Sequence, residues 1–153
     1  MRLLSDDVLP ALEKVDLYLR ERYGVSAGEA LLLSRKEGIP IVIFCDPVLG
    51  PLEALVKYLK ENLGYRYSEI ARFTGRDQRT IWCSYANAKR KKKARFSDSG
   101  ELTPLPSFLG SSILGAVICH LIDEKKHSYK AAAAKLKRNY QTIYTTYRKV
   151  KRR

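Results

Sequence analysis

The sequence predicts an all-α protein: an N-terminal helical pair followed by two tandem copies of one three-helix unit. Three observations lead there. Apolar residues recur at i, i+3, i+4 and i+7 in several stretches, the period of a helix with one buried face. The segment RDQRTIWCSYANAKRK (residues 76–91) returns sixty-two residues later as RNYQTIYTTYRKVKRR (138–153). Cap and turn residues punctuate both copies at matching places. With 153 residues, 45% of them hydrophobic, the chain can bury a core.

Residues 1–38 read as an acidic helical pair. Leu12, Val15, Leu19 and Tyr23 form an apolar stripe on a helix that starts between Asp6 and Pro10 and ends at Gly24. Ser26 followed by Glu29 is a capping box that opens a second helix running toward Gly38. Two roles stay open for the pair: packing on the first unit, or forming a homodimer contact.

The first unit spans residues 39–95. An extended IPIVIF leads into a helix with Pro51 in its first turn after Gly50, and Gly64 closes that helix. Gly75 stops a short second helix, and Asp77 caps a third from Gln78 to about Lys91. Residues 96–110 are a Ser-, Gly- and Pro-rich linker and lead-in, whose TPLPSF resembles IPIVIF with a two-residue slip. The second unit covers 111–153. There Leu114, Ala116, Val117, Ile118 and Leu121 stand where Leu52, Ala54, Leu55, Val56 and Leu59 stood, Tyr129 matches Tyr67, and Asn139 takes the capping place of Asp77. A compact body is expected rather than two beads on a string.

Charge sharpens the functional reading. The formal charge is +13, and such an excess is most often matched by nucleic acid. It is unevenly placed: residues 66–95 hold ten cations against two carboxylates and 125–153 hold eleven against none, while 96–124 hold four carboxylates and no cation. Each basic block contains one copy of the repeated segment, a pattern that general solubility does not require.

Within each unit the short helix, tight turn and basic helix have the spacing of a helix-turn-helix. Ala71 suits a close helix crossing, Gly75 follows four residues later, and Ile81 follows the Gly by six. Ile81, Tyr85 and Ala88 hold the last helix on the core, leaving its other faces for contacts. The stretch YSEIARFTGRDQRTIWCSYANAKRK resembles the helix-turn-helix of the bacterial sigma-factor promoter-reading region and of LuxR-type output domains, and IPIVIF…PLEALVKYLKE resembles small uncharacterised prokaryotic, often archaeal, helix-turn-helix proteins. The second copy departs from the pattern, with Lys137 in place of the turn Gly and Ala132 in place of Ile70. The resemblance implies promoter or operator binding.

Candidate residues follow from this reading. Gln78, Arg79, Trp82 and Cys83 in the first copy, and Tyr140, Gln141, Tyr144, Thr145 and Arg148 in the second, face outward as base readers, since Arg and Gln make bidentate bonds to guanine and adenine edges in the major groove. Trp82 and Tyr144 either pack on sugars and thymine methyls or lie against a neighbouring helix. Phosphate contacts are expected from Arg76, Thr80, Lys89, Arg90, Lys91, Lys92, Lys93 and Arg95, and from Lys137, Arg138, Thr142, Lys149, Lys151, Arg152 and Arg153. Thr80 and Thr142 have a competing role as first-turn caps. Roughly 6 to 10 phosphate contacts would weaken binding by about 10³ to 10⁵ between about 50 and 200 mM salt. Because the two helices begin with different residues, a monomer is expected to prefer an asymmetric site.

A sequence-specific transcriptional regulator on double-stranded DNA is the leading expectation. A nucleoid-coating protein with little base preference is the alternative from the same chemistry. An adaptor docking on acidic proteins or RNA polymerase is the alternative from another class, and Tyr and Trp leave RNA open. An enzyme is not expected, for there is no Gly-rich phosphate loop and no paired-carboxylate pocket. No cofactor or metal is expected either: Cys45, Cys83 and Cys119 are scattered, with only His120 and His127 as companions. Cys119 and His120, adjacent on a helix, point about 100° apart and are not read as a catalytic pair. Free thiols suit a reducing, cytoplasmic setting, and the apolar runs are too short for a membrane span.

Overall fold

The computed structural model describes residues 8–34, 38–108 and 112–153. They fall into two compact units, Met1–Glu37 and Gly38–Arg153. The first contains α1 (Val8–Tyr23) and α2 (Ala27–Ser34). Gly24, with φ of 66°, turns the chain between them. The capping box forms: Ser26 N–H donates to Glu29 Oε2 at 2.8 Å and Glu29 N–H to Ser26 Oγ at 3.1 Å. Asp16 braces the turn by accepting from the Ala27 N–H at 2.6 Å and from Arg20 Nε at 2.6 Å, and these bonds hold its carboxyl below the usual range. No residue of α1 is buried.

The second unit repeats one order of elements. The first copy runs β1 (Gly38–Pro40), a 3-10 turn (Ile41–Cys45), α3 (Pro51–Glu61), α4 (Tyr67–Thr74) and α5 (Gln78–Lys91). The second runs β2 (Leu102–Pro104), a 3-10 turn (Leu105–Phe108), α6 (Ile113–Cys119), a π turn (His120–Glu124), α7 (Tyr129–Leu136) and α8 (Tyr140–Lys151). The described chain is mostly helical; the two short strands are its departure from an all-α fold.

The helix starts coincide in the two copies although the caps differ: Ser112 and Ser128 cap with their side chains, while Gly50 and Arg66 rely on Glu53 and Glu69. Gly50 and Ser112, Arg66 and Ser128, and Asp77 and Asn139 are N-caps in extended conformation, each pair sixty-two residues apart. The turns also match. Gly64 and Lys126 share a positive φ (71° and 58°), as do Gly75 and Lys137 (66° and 51°). The Arg76 N–H reaches Ala71 O at 3.0 Å and the Arg138 N–H reaches Ala133 O at 3.0 Å, so the turn survives without its glycine. Placing Lys137 in the left-handed region costs about 1–2 kcal/mol.

The copies meet through their lead-ins. β1 and β2 pair antiparallel, with Gly38 opposite Pro104, Ile39 opposite Thr103 and Pro40 opposite Leu102. Gly38 permits this approach, because a Cβ there would lie 2.5 Å from Leu102 Cβ. Behind the strands Phe44 and Phe108 stack with centroids 5.9 Å apart, and α3 packs on α6. Ile39, Ile43, Leu55, Ile118 and Leu121 complete a core common to both copies. Part of the expected linker therefore belongs to the fold. Its remaining length is also tied down: Tyr58 Oη and Asn62 Nδ2 each donate to Asp98 Oδ1 at 2.9 Å, and Asn62 Nδ2 also reaches Phe96 O at 2.9 Å.

Candidate nucleic-acid interface

Two helices carry the candidate residues. In α5 the Asp77 carboxylate accepts from the Thr80 hydroxyl (2.8 Å) and from the N–H groups of Arg79 (2.7 Å) and Thr80 (3.3 Å), bonds that hold it below the usual carboxylate range. Ile81 and Ala88 are fully buried and fix the rotation of the helix. That rotation leaves Gln78, Arg79, Trp82, Cys83, Ala86, Lys89 and Arg90 exposed, with Trp82 retaining 56% of its surface. In α8 the Asn139 side chain accepts from the Gln141 N–H at 2.8 Å, and Ile143 takes the buried place of Ile81. Tyr140, Gln141, Thr142, Thr145, Arg148 and Lys149 are exposed.

Several side chains carry internal bonds. Thr80 Oγ1 donates to Asp77 Oδ2 at 2.8 Å, which favours its capping role in this structure. Thr145 Oγ1 donates to Gln141 O at 2.6 Å, keeping that hydroxyl's proton within the helix. Tyr144 is half-buried, edge-on to Tyr129 at 5.5 Å and stacked with Tyr140 at 6.3 Å, so packing against a neighbouring helix holds it. Arg148 lies over the Tyr144 ring at 5.5 Å and donates to its hydroxyl at 3.1 Å. Tyr144, Thr145, Arg148, Lys149, Arg152 and Arg153 line a shallow groove of about 400 Å³.

A set of contacts not foreseen from the sequence repeats with the same sixty-two-residue step. In the first copy Tyr85 Oη donates to Glu61 Oε1 at 3.2 Å and Lys89 Nζ donates to the same oxygen at 3.1 Å. In the second, Tyr147 Oη donates to Asp123 Oδ1 at 2.6 Å and Lys151 Nζ lies 2.7 Å from Asp123 Oδ2. Tyr67 rests against Tyr85 at 5.9 Å, and Tyr129 against Tyr147 at 5.6 Å. Each carboxylate thus ties the last helix of its copy to the end of the first. The available signal was a carboxylate, a Tyr and a Lys at equal spacing in both copies.

The electrostatics differ between them. Burial pushes the Glu61 carboxyl up, but hydrogen bonds from Lys57 and Lys89 outweigh it and leave it below the usual range. Asp123 is held low by its bonds to Lys151 and Tyr147, and it raises both partners in turn.

The expected phosphate ligands divide into two groups. Lys89 and Lys151 are held as above, Lys91 Nζ is 2.8 Å from Glu53 Oε2, and Lys92 Nζ is 2.8 Å from Asp46 Oδ2. These four must exchange a carboxylate before binding an anion. Arg76 is half-buried and donates to Thr74 O at 3.3 Å, Arg90 donates to Asn87 Oδ1 at 3.1 Å, and Arg138 is half-buried. Lys93, Lys137, Lys149, Arg152 and Arg153 are exposed and form no ion pair among the described residues; Arg95 is likewise exposed.

Cys83 is the exposed thiol, on the outer face of α5. Cys45 and Cys119 are half-buried, and burial raises both thiols; Cys45 Sγ also donates to Lys135 O at 3.0 Å. No group of three or more His, Cys, Asp or Glu among the described residues is arranged to hold a metal ion, and no described helix is long and apolar enough to cross a membrane. Compared with known proteins, the chain matches no protein-family model, no curated protein and no solved structure.

Proposed function

We propose that the protein binds double-stranded DNA as a sequence-specific transcriptional regulator, with α4–α5 and α7–α8 acting as two helix-turn-helix units. α5 and α8 enter the major groove as recognition helices. One observation carries the reading: twice, a capped basic helix is pinned to the core by a buried isoleucine, joined in α5 by Ala88, while the polar residues of its first turn stay exposed. A helix entering the major groove contacts bases with its N-terminal residues. Gln78 and Arg79 read bases from α5, and Gln141 and Arg148 from α8; Trp82 and Tyr140 contribute apolar contact to thymine methyls and sugars. Lys93, Arg95, Lys149, Arg152 and Arg153 neutralise phosphates first. The ion-paired Lys89, Lys91, Lys92 and Lys151 add less, so the salt dependence falls below what the number of cations alone gives.

The test is selection of bound sites from random duplexes, followed by binding titrations against the selected site, bulk genomic DNA and heparin. A regulator prefers the selected duplex by about 10³-fold or more over bulk DNA. Arg79→Ala should lower that preference at particular base pairs, with a cost of about 1–3 kcal/mol at the affected position. Replacing Lys93 and Arg95 by Ala should weaken every duplex alike and flatten the salt slope. Equal affinity for all duplexes would instead mark a DNA-coating protein. No preference for duplex over heparin would remove the reading altogether.

A further inference from the structure

The two copies are joined by a rotation, and this determines what arrangement of DNA they fit. The lead-ins IPIVIF and TPLPSF correspond with a step of sixty-four residues, so Gly38 is equivalent to Leu102, Ile39 to Thr103, Pro40 to Pro104 and Phe44 to Phe108. In the sheet Ile39 pairs with its own equivalent, Thr103. Gly38 pairs with the equivalent of Pro40, and Pro40 with the equivalent of Gly38. That reciprocity is the signature of a two-fold axis, here passing through the Ile39–Thr103 pair. Two further contacts obey it: Phe44 stacks on Phe108, and α3 packs on α6. A head-to-tail repeat, related by translation, would bring non-equivalent residues together.

We infer that a single chain binds one inverted repeat of DNA, its two unequal halves read by α5 and α8 about this internal pseudo-two-fold axis. The inference rests on the DNA-binding reading above. Half a turn leaves unchanged the component of any direction along the axis, so a face that α5 presents along the axis is presented the same way by α8. Duplex DNA has two-fold axes of its own perpendicular to its length, and a two-fold protein matches them. Size agrees: a compact unit of the length of Gly38–Arg153 has a radius of gyration of about 13 Å, hence a diameter of about 35 Å, against about 34 Å between successive major-groove faces. The halves are unequal because the exposed residues differ: Gln78, Arg79, Cys83 and Ala86 on α5 correspond to Tyr140, Gln141, Thr145 and Arg148 on α8. An asymmetric sequence therefore lies within a two-fold arrangement of contacts.

The experiment makes the helices alike at the four exposed positions compared above. The full chain carrying Tyr140→Gln, Gln141→Arg, Thr145→Cys and Arg148→Ala is put through selection from random duplexes under reducing conditions, beside the unaltered chain. The variant should return a palindrome with half-site centres about 10–11 base pairs apart, and reversing one half in place should weaken binding at least about tenfold. The bound complex should hold one chain per duplex by sedimentation. Ethylation interference on the unaltered chain's best duplex, which needs no variant to fold, should give blocked phosphates placed symmetrically about a centre. A direct repeat, a single half-site, two chains per site, or interference without a dyad overturns the inference while leaving DNA binding intact. Failure of the unaltered chain to bind any duplex overturns both readings.

Discussion

The two copies of the second unit hold almost the same backbone by different means. In the first, Lys57 is fully buried on α3 and its Nζ lies 2.6 Å from Glu61 Oε2, so a buried ion pair sits at the joint where Tyr85 and Lys89 also attach. In the second, the place of Lys57 is taken by Cys119, and Asp123 serves Tyr147 and Lys151. Along the same helices Glu53 in the first copy is answered by Gly115 in the second. The fold thus keeps the spacing of caps and of the buried isoleucines, and tolerates either a buried ammonium or a thiol beside the carboxylate of the joint.

The largest expected difference lies at that joint. Glu61→Gln leaves the Lys57 ammonium buried without a countercharge, and removing one partner of a buried pair costs about 3–5 kcal/mol. Asp123→Asn leaves only Lys151, whose side chain is 52% exposed, so the loss stays below about 1 kcal/mol. Denaturant midpoints of the two variants measure the contrast. Acid sharpens it. Both carboxyls are held below their ordinary values when folded, so their contribution is present above the unfolded pKa of about 4 and is lost as pH falls through the folded value. The parent chain should lose stability on acidification below about pH 4, and each variant should have a flatter acid limb. Equal costs for Glu61→Gln and Asp123→Asn would mean that Lys57 is solvated.

A smaller effect separates Glu53 from Gly115. A Cβ at Gly115 would lie 2.6 Å from Val150 Cγ2, so α6 and α8 approach more closely there than a side chain allows. Gly115→Ala should cost about 1–3 kcal/mol through overpacking. Glu53 instead caps its own helix by accepting from the Gly50 N–H at 3.1 Å, and it holds Lys91. Glu53→Ala should cost about 1 kcal/mol. It should also free Lys91 for phosphate and steepen the salt dependence of DNA binding, whereas Gly115→Ala should weaken binding by displacing α8.

Local signals in the sequence were enough for the helices. Asp77 and Lys91 bracket α5, Gly24 ends α1, and Ser26 with Glu29 opens α2, because caps and turns act over three or four residues. The burial of Ile81 and Ala88, and with it the outer face of α5, followed from helical period. What could not be read joins distant residues. The β1–β2 pairing is three residues a side, is made by backbone groups, and places two prolines in the ladder, so no propensity announces it. The partners of Lys91 and Lys92 are thirty-eight and forty-six residues away, and nothing in a run of lysines says which of them are already neutralised. The internal axis shows only when the two-residue slip between strand and helix offsets is set against the observed register.

The smallest expected effect tests whether the turn before α8 is the turn before α5. Gly75 and Lys137 both sit in the left-handed region, at φ 66°, ψ 26° and φ 51°, ψ 44°. The conformation costs a lysine about 1–2 kcal/mol, while a glycine gives back about 0.5–1 kcal/mol through its larger unfolded-state entropy. Lys137→Gly should therefore stabilise the chain by about 0.5–1 kcal/mol. Gly75→Ala should destabilise it by about as much, since a Cβ at Gly75 meets nothing within 4 Å and only the backbone responds. Opposite shifts in denaturant midpoint would establish one turn written with two residues. If Lys137→Gly lowered the midpoint, the lysine would owe its place to contacts of its own side chain. α8 would then be set by something α5 lacks.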